Sequence, residues 1–336
     1  MRAQLNTGRL MLPLLNARFL KSILVLLLLA AAPLTMRGDF QEFRALPTNS
    51  DLDGKLKRVA ELSRHDFPKL TDDNLALSVI DLSKPENVIR ADYHGDASFY
   101  PASLVKLFFM VAAFQQDHFT PEIERALREM IRVSDNDAAA FLVDVLTDTT
   151  SGPELKGKVL EDFLERRRSL NRYFASKGYD VSVFIKPWSF GPFGRDMQIM
   201  GEKKENRNRA SANAIASLLY SIVQRKAVSA SASDSMMSLL ERPLAPARPE
   251  ENQVKDFFGE SLPPGARLWS KEGDTSEVRH DAAYVELPNG TKYIIVIFTR
   301  GAADEKTLLP TIGRHLLQEL EAGATATATA TEQRPQ

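Results

Sequence analysis

Phe99-Tyr100-Pro101-Ala102-Ser103-Leu104-Val105-Lys106 runs directly into the apolar stretch Leu107-Phe108-Phe109-Met110-Val111-Ala112-Ala113-Phe114. A serine and a lysine three positions apart lie on one face of a helix, which puts an amine within reach of a hydroxyl. The residues after Lys106 are apolar all round, the pattern of a helix inside a core. A lysine at the head of such a helix needs a reason. A serine hydroxyl becomes a useful nucleophile when a neighbouring base takes its proton. Lysine can be that base once burial or a nearby cation lowers its pKa. Taken alone the pattern is weak, because an S-x-x-K is expected about once by chance in a chain of this length.

Two further stretches give it weight. Ser134-Asp135-Asn136 follows a charged helical stretch from Pro121 to Arg132 and precedes the apolar Ala138-Ala139-Ala140-Phe141-Leu142-Val143. Ser, Asp and Asn are all favoured helix N-caps, and for an isolated S-D-N that explanation is sufficient. Trp269-Ser270-Lys271-Glu272-Gly273-Asp274 comes third, ahead of two strand-like runs, Ala282–Leu287 and Tyr293–Phe298. Pro288-Asn289-Gly290-Thr291 joins those runs, and its Asn-Gly pair signals a hairpin. A lysine on such a strand is ordinarily a solvated charge that discourages edge-to-edge pairing.

The order S-x-x-K, S-D-N, K-x-G resembles the class A β-lactamase family of penicillin-recognising serine hydrolases over roughly Asp51 to Ala322. Phe99-Tyr100-Pro101-Ala102 is similar to the family's approach to its nucleophile, and Ser134-Asp135-Asn136-Asp137-Ala138-Ala139 to its S-D-N-x-A-A. Leu262-Pro263-Pro264-Gly265 and Val296-Ile297-Phe298-Thr299-Arg300-Gly301 are similar to its last strands. The resemblance implies Ser103 as the acyl-accepting nucleophile, Lys106 as a general base and Ser134 as a proton relay to the leaving nitrogen. It implies Asn136 as a binder of the substrate amide and Lys271 as positive charge for a substrate carboxylate. Gly273 and Thr275 would complete the substrate-binding set. An oxyanion hole would use the N–H of Ser103 and that of Thr275 or Ser276. The fold implied is α/β (α+β): a five-stranded antiparallel sheet flanked by helices, with an all-helical subdomain inserted over about residues 99–260.

Two departures bear on function. The family's W-E-P-x-L-N, whose glutamate activates the deacylating water, corresponds here to Lys186-Pro187-Trp188-Ser189-Phe190-Gly191-Pro192-Phe193. Ser189 stands where the glutamate should be. Asp196, Glu202 and Glu205 are the carboxylates within reach along the chain, while Glu161 to Arg168 reads as a solvated charged helix. The middle of K-x-G is Glu272 rather than a hydroxyl residue. Its carboxylate would repel an anionic substrate unless Lys271 or Arg279 neutralised it, or would favour a substrate bearing an amine. His280 sits near the position of a carboxylate-binding arginine.

The chain has 336 residues, 43% of them hydrophobic, with a formal net charge of −1 and no cysteine. That is enough to bury one large core. It excludes disulfides and thiolate chemistry and gives no basic surface for nucleic acid. The five histidines lack metal-ligand spacing, so no cofactor or metal is expected. Arg2, Arg9, Arg18 and Lys21 before the apolar run Ser22 to Ala32 read as a secretory signal or signal anchor over residues 1–38. Export to a periplasm, or anchoring on the outer side of the cytoplasmic membrane, follows. Residues 39–50 read as a linker, 51–322 as the catalytic domain, and the Ala-Thr repeat of 323–336 as a disordered tail. Ser50-Asp51-Leu52-Asp53 resembles a capping box opening a helix. The expected protein is a monomeric β-lactam hydrolase. The alternatives are a D-alanyl peptide carboxypeptidase or transpeptidase, and a β-lactam-binding protein that acylates without turnover.

Overall fold

The described residues of the computed structural model are 39–116, 119–245 and 252–332. The segment read as a signal or anchor, residues 1–38, lies outside them. No helix among the described residues is long and apolar enough to cross a membrane.

Strands β1 (Leu75–Asp81) and β2 (Ile89–Tyr93) come early in the chain. Strands β3 (Glu241–Arg242), β4 (Arg267–Asp274), β5 (Val278–Glu286) and β6 (Lys292–Arg300) come late. They form one antiparallel sheet in the order β2-β1-β6-β5-β4-β3. Six strands replace the expected five. The extra one, β3, pairs its two residues with Trp269 and Leu268, too short a run to carry the period-two signal of a strand. The β5–β6 hairpin forms as the Asn-Gly pair indicates, with Gly290 at φ 88° where a side chain would be strained.

Both faces of the sheet are covered, which is why Tyr293–Phe298 reads as an unbroken apolar run rather than an alternating one. Ile295 and Ile297 pack with Leu56 and Val59 of α2 (Ser50–Asp66) and with Leu309, Ile312 and Leu316 of α11 (Leu308–Glu332). Val296 and Phe298 join the opposite core, which takes in every residue of α3 (Val105–Ala113) except Lys106 and much of α9 (Ala212–Val223). Between them the chain lays down α4 (Pro121–Arg132), α5 (Asn136–Thr147), α6 (Gly157–Arg167), α7 (Ser169–Ser176) and α8 (Gly194–Met200); α10 (Ala230–Leu240) leads into β3. The helical insertion is as expected.

Three boundaries differ from the sequence reading. Residues 39–50 are not a free linker: α1 (Asp39–Arg44) buries Phe43 completely, with the Arg90 guanidinium 4.9 Å above its ring. The cap of α2 is Asn49, whose side chain accepts from Leu52 N at 2.9 Å, so Ser50 is already helical. Such a cap contributes about 1 kcal/mol. The backbone of α11 continues to Glu332, through most of the segment expected to be structureless; the last four residues lie outside the described ones.

Candidate active site

Ser103 sits in a 3-10 turn, Ala102–Leu104, immediately before α3. Two neighbours fix that turn. Gly273 of β4 packs so closely that a Cβ there would lie 2.8 Å from Pro101 O and 3.3 Å from Leu104 N. His280 of β5 is fully buried, its Nδ1 accepting from Thr299 N at 3.1 Å, which leaves Nε2–H to donate to Tyr100 O at 2.9 Å. Burial pushes this imidazole down to about 4, and its ring stacks on Phe298. His280 is therefore a neutral strut for the turn, not a cationic stand-in for a carboxylate-binding arginine. Ala102 itself has φ 46°, a conformation that costs an alanine about 1 kcal/mol and recurs at functional sites.

Lys106, on the first turn of α3, is completely buried. Its Nζ lies 3.0 Å from Ser103 Oγ, 2.6 Å from Ser134 O, 3.2 Å from Ser134 Oγ and 2.7 Å from Asn136 Oδ1. An ammonium has only three hydrogens for these four neighbours, whereas a free amine can accept the serine proton. Burial, reinforced by the nearby Lys271 charge, lowers the Lys106 pKa to about 7. The amine is thus available as a base near neutral pH.

Ser134 follows α4 in the left-handed conformation, φ 59°, a position that helix ends usually give to glycine. The next residue donates Asp135 N to Glu129 O, and the Asp135 carboxylate caps α5 by accepting from Ala138 N. This tight joint holds Ser134 Oγ between the two lysines, 3.2 Å from Lys106 Nζ and 2.9 Å from Lys271 Nζ. Lys271 is also wholly buried, and burial lowers its pKa while Glu272 opposes the shift. Its remaining contacts are Glu272 Oε1 at 2.8 Å and Glu272 O at 3.1 Å. Glu272 turns into the protein beside Lys271. Arg279 pairs instead with Asp274, 3.2 Å away.

The opposite wall is the loop from Lys186 to Phe193. Asn136 Nδ2 donates to Trp188 O at 3.2 Å. The loop is tied down by buried charges. Lys186 Nζ meets Asp144 Oδ2 at 2.7 Å, and Arg167 Nη2 meets Asp144 Oδ1 at 2.6 Å and Asp196 Oδ1 at 3.1 Å. Asp196 also accepts from Ser151 Oγ at 2.7 Å. Arg167 is fully buried, an exception in a charge run whose Glu161, Asp162, Glu165 and Arg166 are exposed as expected.

Between the walls lies a cleft of about 290 Å³, lined by Ser103, Asn136, Lys186, Trp188, Asp274 and Thr275, among others. Lys106, Ser134 and Lys271 stand behind Ser103, and Gly273 forms the joint between strand and turn. The two carboxylates lining the cleft are already paired, Asp274 with Arg279 and Glu277 with Arg207. Asp196, Glu202 and Glu205 do not line it, and Ser189 is exposed. Among the described residues, no carboxylate on the cleft lining is without an arginine partner. Among the described residues no cluster of three or more His, Asp or Glu could hold a metal ion.

Thr275 lines the cleft, but its N–H is committed to Val278 O at 3.0 Å and cannot serve an oxyanion. Backbone groups alternate sides along an antiparallel strand. With Thr275 facing β5, the N–H of Asp274 faces the open edge of β4, which makes it a candidate donor that sequence reasoning did not name. Counting back by one along β4 identifies it.

A sequence model of the family described as "Beta-lactamase enzyme family" matches residues 116–320, more than half of the chain, beginning just after Ser103 and Lys106. No curated protein matches the chain in sequence. The solved structure of PBP-A is similar to it at 20% identity, with a TM-score of 0.56, covering 82% of this chain and 98% of that one. A point mutant of PBP-A, as an acyl-enzyme complex with penicillin G, also aligns at 20% identity, with a TM-score of 0.57 and coverages of 82% and 98%. A β-lactamase from Sphaerobacter thermophilus aligns at 19% identity, with a TM-score of 0.55, covering 77% of this chain and 95% of that one. At these identities the structural likeness speaks for the fold, and the match over residues 116–320 speaks for descent: the chain belongs to the β-lactamase enzyme family.

Proposed function

We propose that the protein is a serine acyl-transfer enzyme whose Ser103 is acylated by β-lactams and releases the acyl group slowly. The observation that carries this reading is the buried Lys106 amine, 3.0 Å from Ser103 Oγ and with its pKa lowered to about 7. Lys106 takes the proton from Ser103 Oγ as that oxygen attacks the lactam carbonyl. The N–H groups of Ser103 and Asp274 hold the oxyanion, a contribution of roughly 3–4 kcal/mol per donor in such sites. The C–N bond then breaks, and the proton passes from Lys106 through Ser134 Oγ to the leaving nitrogen. Lys271 keeps Ser134 oriented and the relay positively biased. Asn136 reaches both the base and the loop, which suits it to the substrate amide.

Slow release follows from the cleft lining, whose loop side, Lys186, Pro187 and Trp188, carries no carboxylate. Hydrolysis of an acyl-enzyme needs a base beside the attacking water, and both cleft carboxylates are engaged by arginines. The basic and apolar N-terminal segment supports export of the domain. Intact-mass analysis after exposure to benzylpenicillin tests the reading. The expected result is a single covalent adduct that Ser103→Ala abolishes; an adduct surviving in that variant, or none in the native protein, overturns it.

A further inference from the structure

Lys271 has no hydrogen to spare for a ligand. Its three protons face three acceptors, Ser134 Oγ, Glu272 O and Glu272 Oε1, and its side chain is completely buried. Its charge is likewise answered from inside, since Glu272 Oε1 makes a salt bridge with it at 2.8 Å. Lys106 differs: all four of its neighbours are uncharged oxygens. The carboxylate is therefore placed against one lysine of the pair and not the other. Glu272 is itself nearly buried, at 7% exposure, and Oε2 has no hydrogen-bond partner. A half-satisfied buried carboxylate is expensive to maintain, and here its visible work is to stand beside Lys271.

We propose that Glu272 is a built-in counter-ion for Lys271, taking the electrostatic place of an anionic substrate group, so that the cleft accepts acyl donors uncharged next to the scissile bond. The proposal rests on the acyl-transfer reading above and names the substrate class for that site. It also revises the expectation that Lys271 receives a substrate carboxylate. Glu272 does not present its charge to the substrate either, so an amine-bearing donor gains nothing from it. The charged groups around Lys271 are Glu272 on its own strand, Lys106 from α3, Arg242 from β3 and Asp281 from β5. Glu272 and Asp281 are register partners across β4 and β5. Of these, Glu272 alone makes a salt bridge to Lys271.

The test compares Ser103 acylation by benzylpenicillin and by its uncharged methyl ester in the native protein and in Glu272→Thr. The native rates should agree within about threefold, and the variant should move the acid-to-ester ratio toward the acid by about tenfold or more. A native preference for the acid of about tenfold, or an unmoved ratio in the variant, overturns the proposal. If neither lactam labels Ser103, the β-lactam reading fails by itself. The counter-ion is then judged by labelling Ser103 with an uncharged fluorophosphonate across pH. Removing the Glu272 charge withdraws support from the Lys271 proton, so Glu272→Gln should bring the alkaline fall in labelling to lower pH by about one unit. A variant that merely loosened the site would lower the rate without moving that limb, and an unmoved limb overturns the proposal. Ser103 unlabelled by all three probes overturns both readings.

Discussion

The two walls of the cleft differ in what their charges are free to do. On the wall made by α3, the Ser134 joint and β4, two buried lysines converge on one serine hydroxyl, and a third group, Ser103, lies 3.0 Å from one of them. On the loop wall, Lys186 is held by Asp144, and Asp196 by Arg167 and Ser151. The first wall leaves an amine ready to move a proton; the second spends its charges on holding the loop in place. On the acyl-transfer reading proposed above, this difference equips the molecule to form an acyl-enzyme and leaves it poorly equipped to hydrolyse one.

The comparison breaks most completely at Lys106. Lys106→Ala should slow acylation by up to about 10⁴-fold, the upper range for a general base; stopped-flow or intact-mass kinetics would read it, and a loss below tenfold would remove the lysine from the chemistry. Arg167→Ala on the loop wall should leave Asp144 and Asp196 partly uncompensated and cost roughly 3–5 kcal/mol of stability, measured by denaturant unfolding. Its effect on acylation should be felt only through Asn136 and Trp188. A carboxylate placed on the cleft lining by Pro187→Glu should speed deacylation by about 100-fold, whereas Ser189→Glu, at an exposed position, should change it little. Equal effects from the two variants would mean that the loop side chains are arranged differently. The smallest effect is with pH. Because Lys106 acts as the free base and its pKa is lowered to about 7, acylation should rise with pH through about 7, level off, and fall again only where Lys271 loses its proton; a rising midpoint above 9 would place the proton elsewhere.

The first wall was legible in the sequence because its chemistry is local. Ser103 and Lys106 share a helix face, Ser134 and Asn136 flank a helix cap, and Lys271 lies on a strand followed by a hairpin. What escaped notice depends on strand register and distant pairing. The two-residue β3 carries no periodicity, yet it delivers the buried Arg242 to the region of Glu272. The oxyanion donor expected at Thr275 or Ser276 is proposed instead at Asp274, because the end of β4 cannot be read without the Thr275 hydrogen bond to β5. Arg167 looked solvated in a run of charges, since nothing nearby announces its partners Asp144 and Asp196. Glu272 was recognised as a departure, but its direction, inward toward Lys271, is set by tertiary packing alone.

The most direct test of the account is a pre-steady-state experiment with a chromogenic cephalosporin in excess over the native protein. Fast acylation followed by slow release predicts a burst of about one chromophore per protein molecule and a steady state slower than the burst by about 100-fold or more. Linear turnover from the first moment, with no burst, would contradict it and would mean that the loop wall supplies a deacylating base after all.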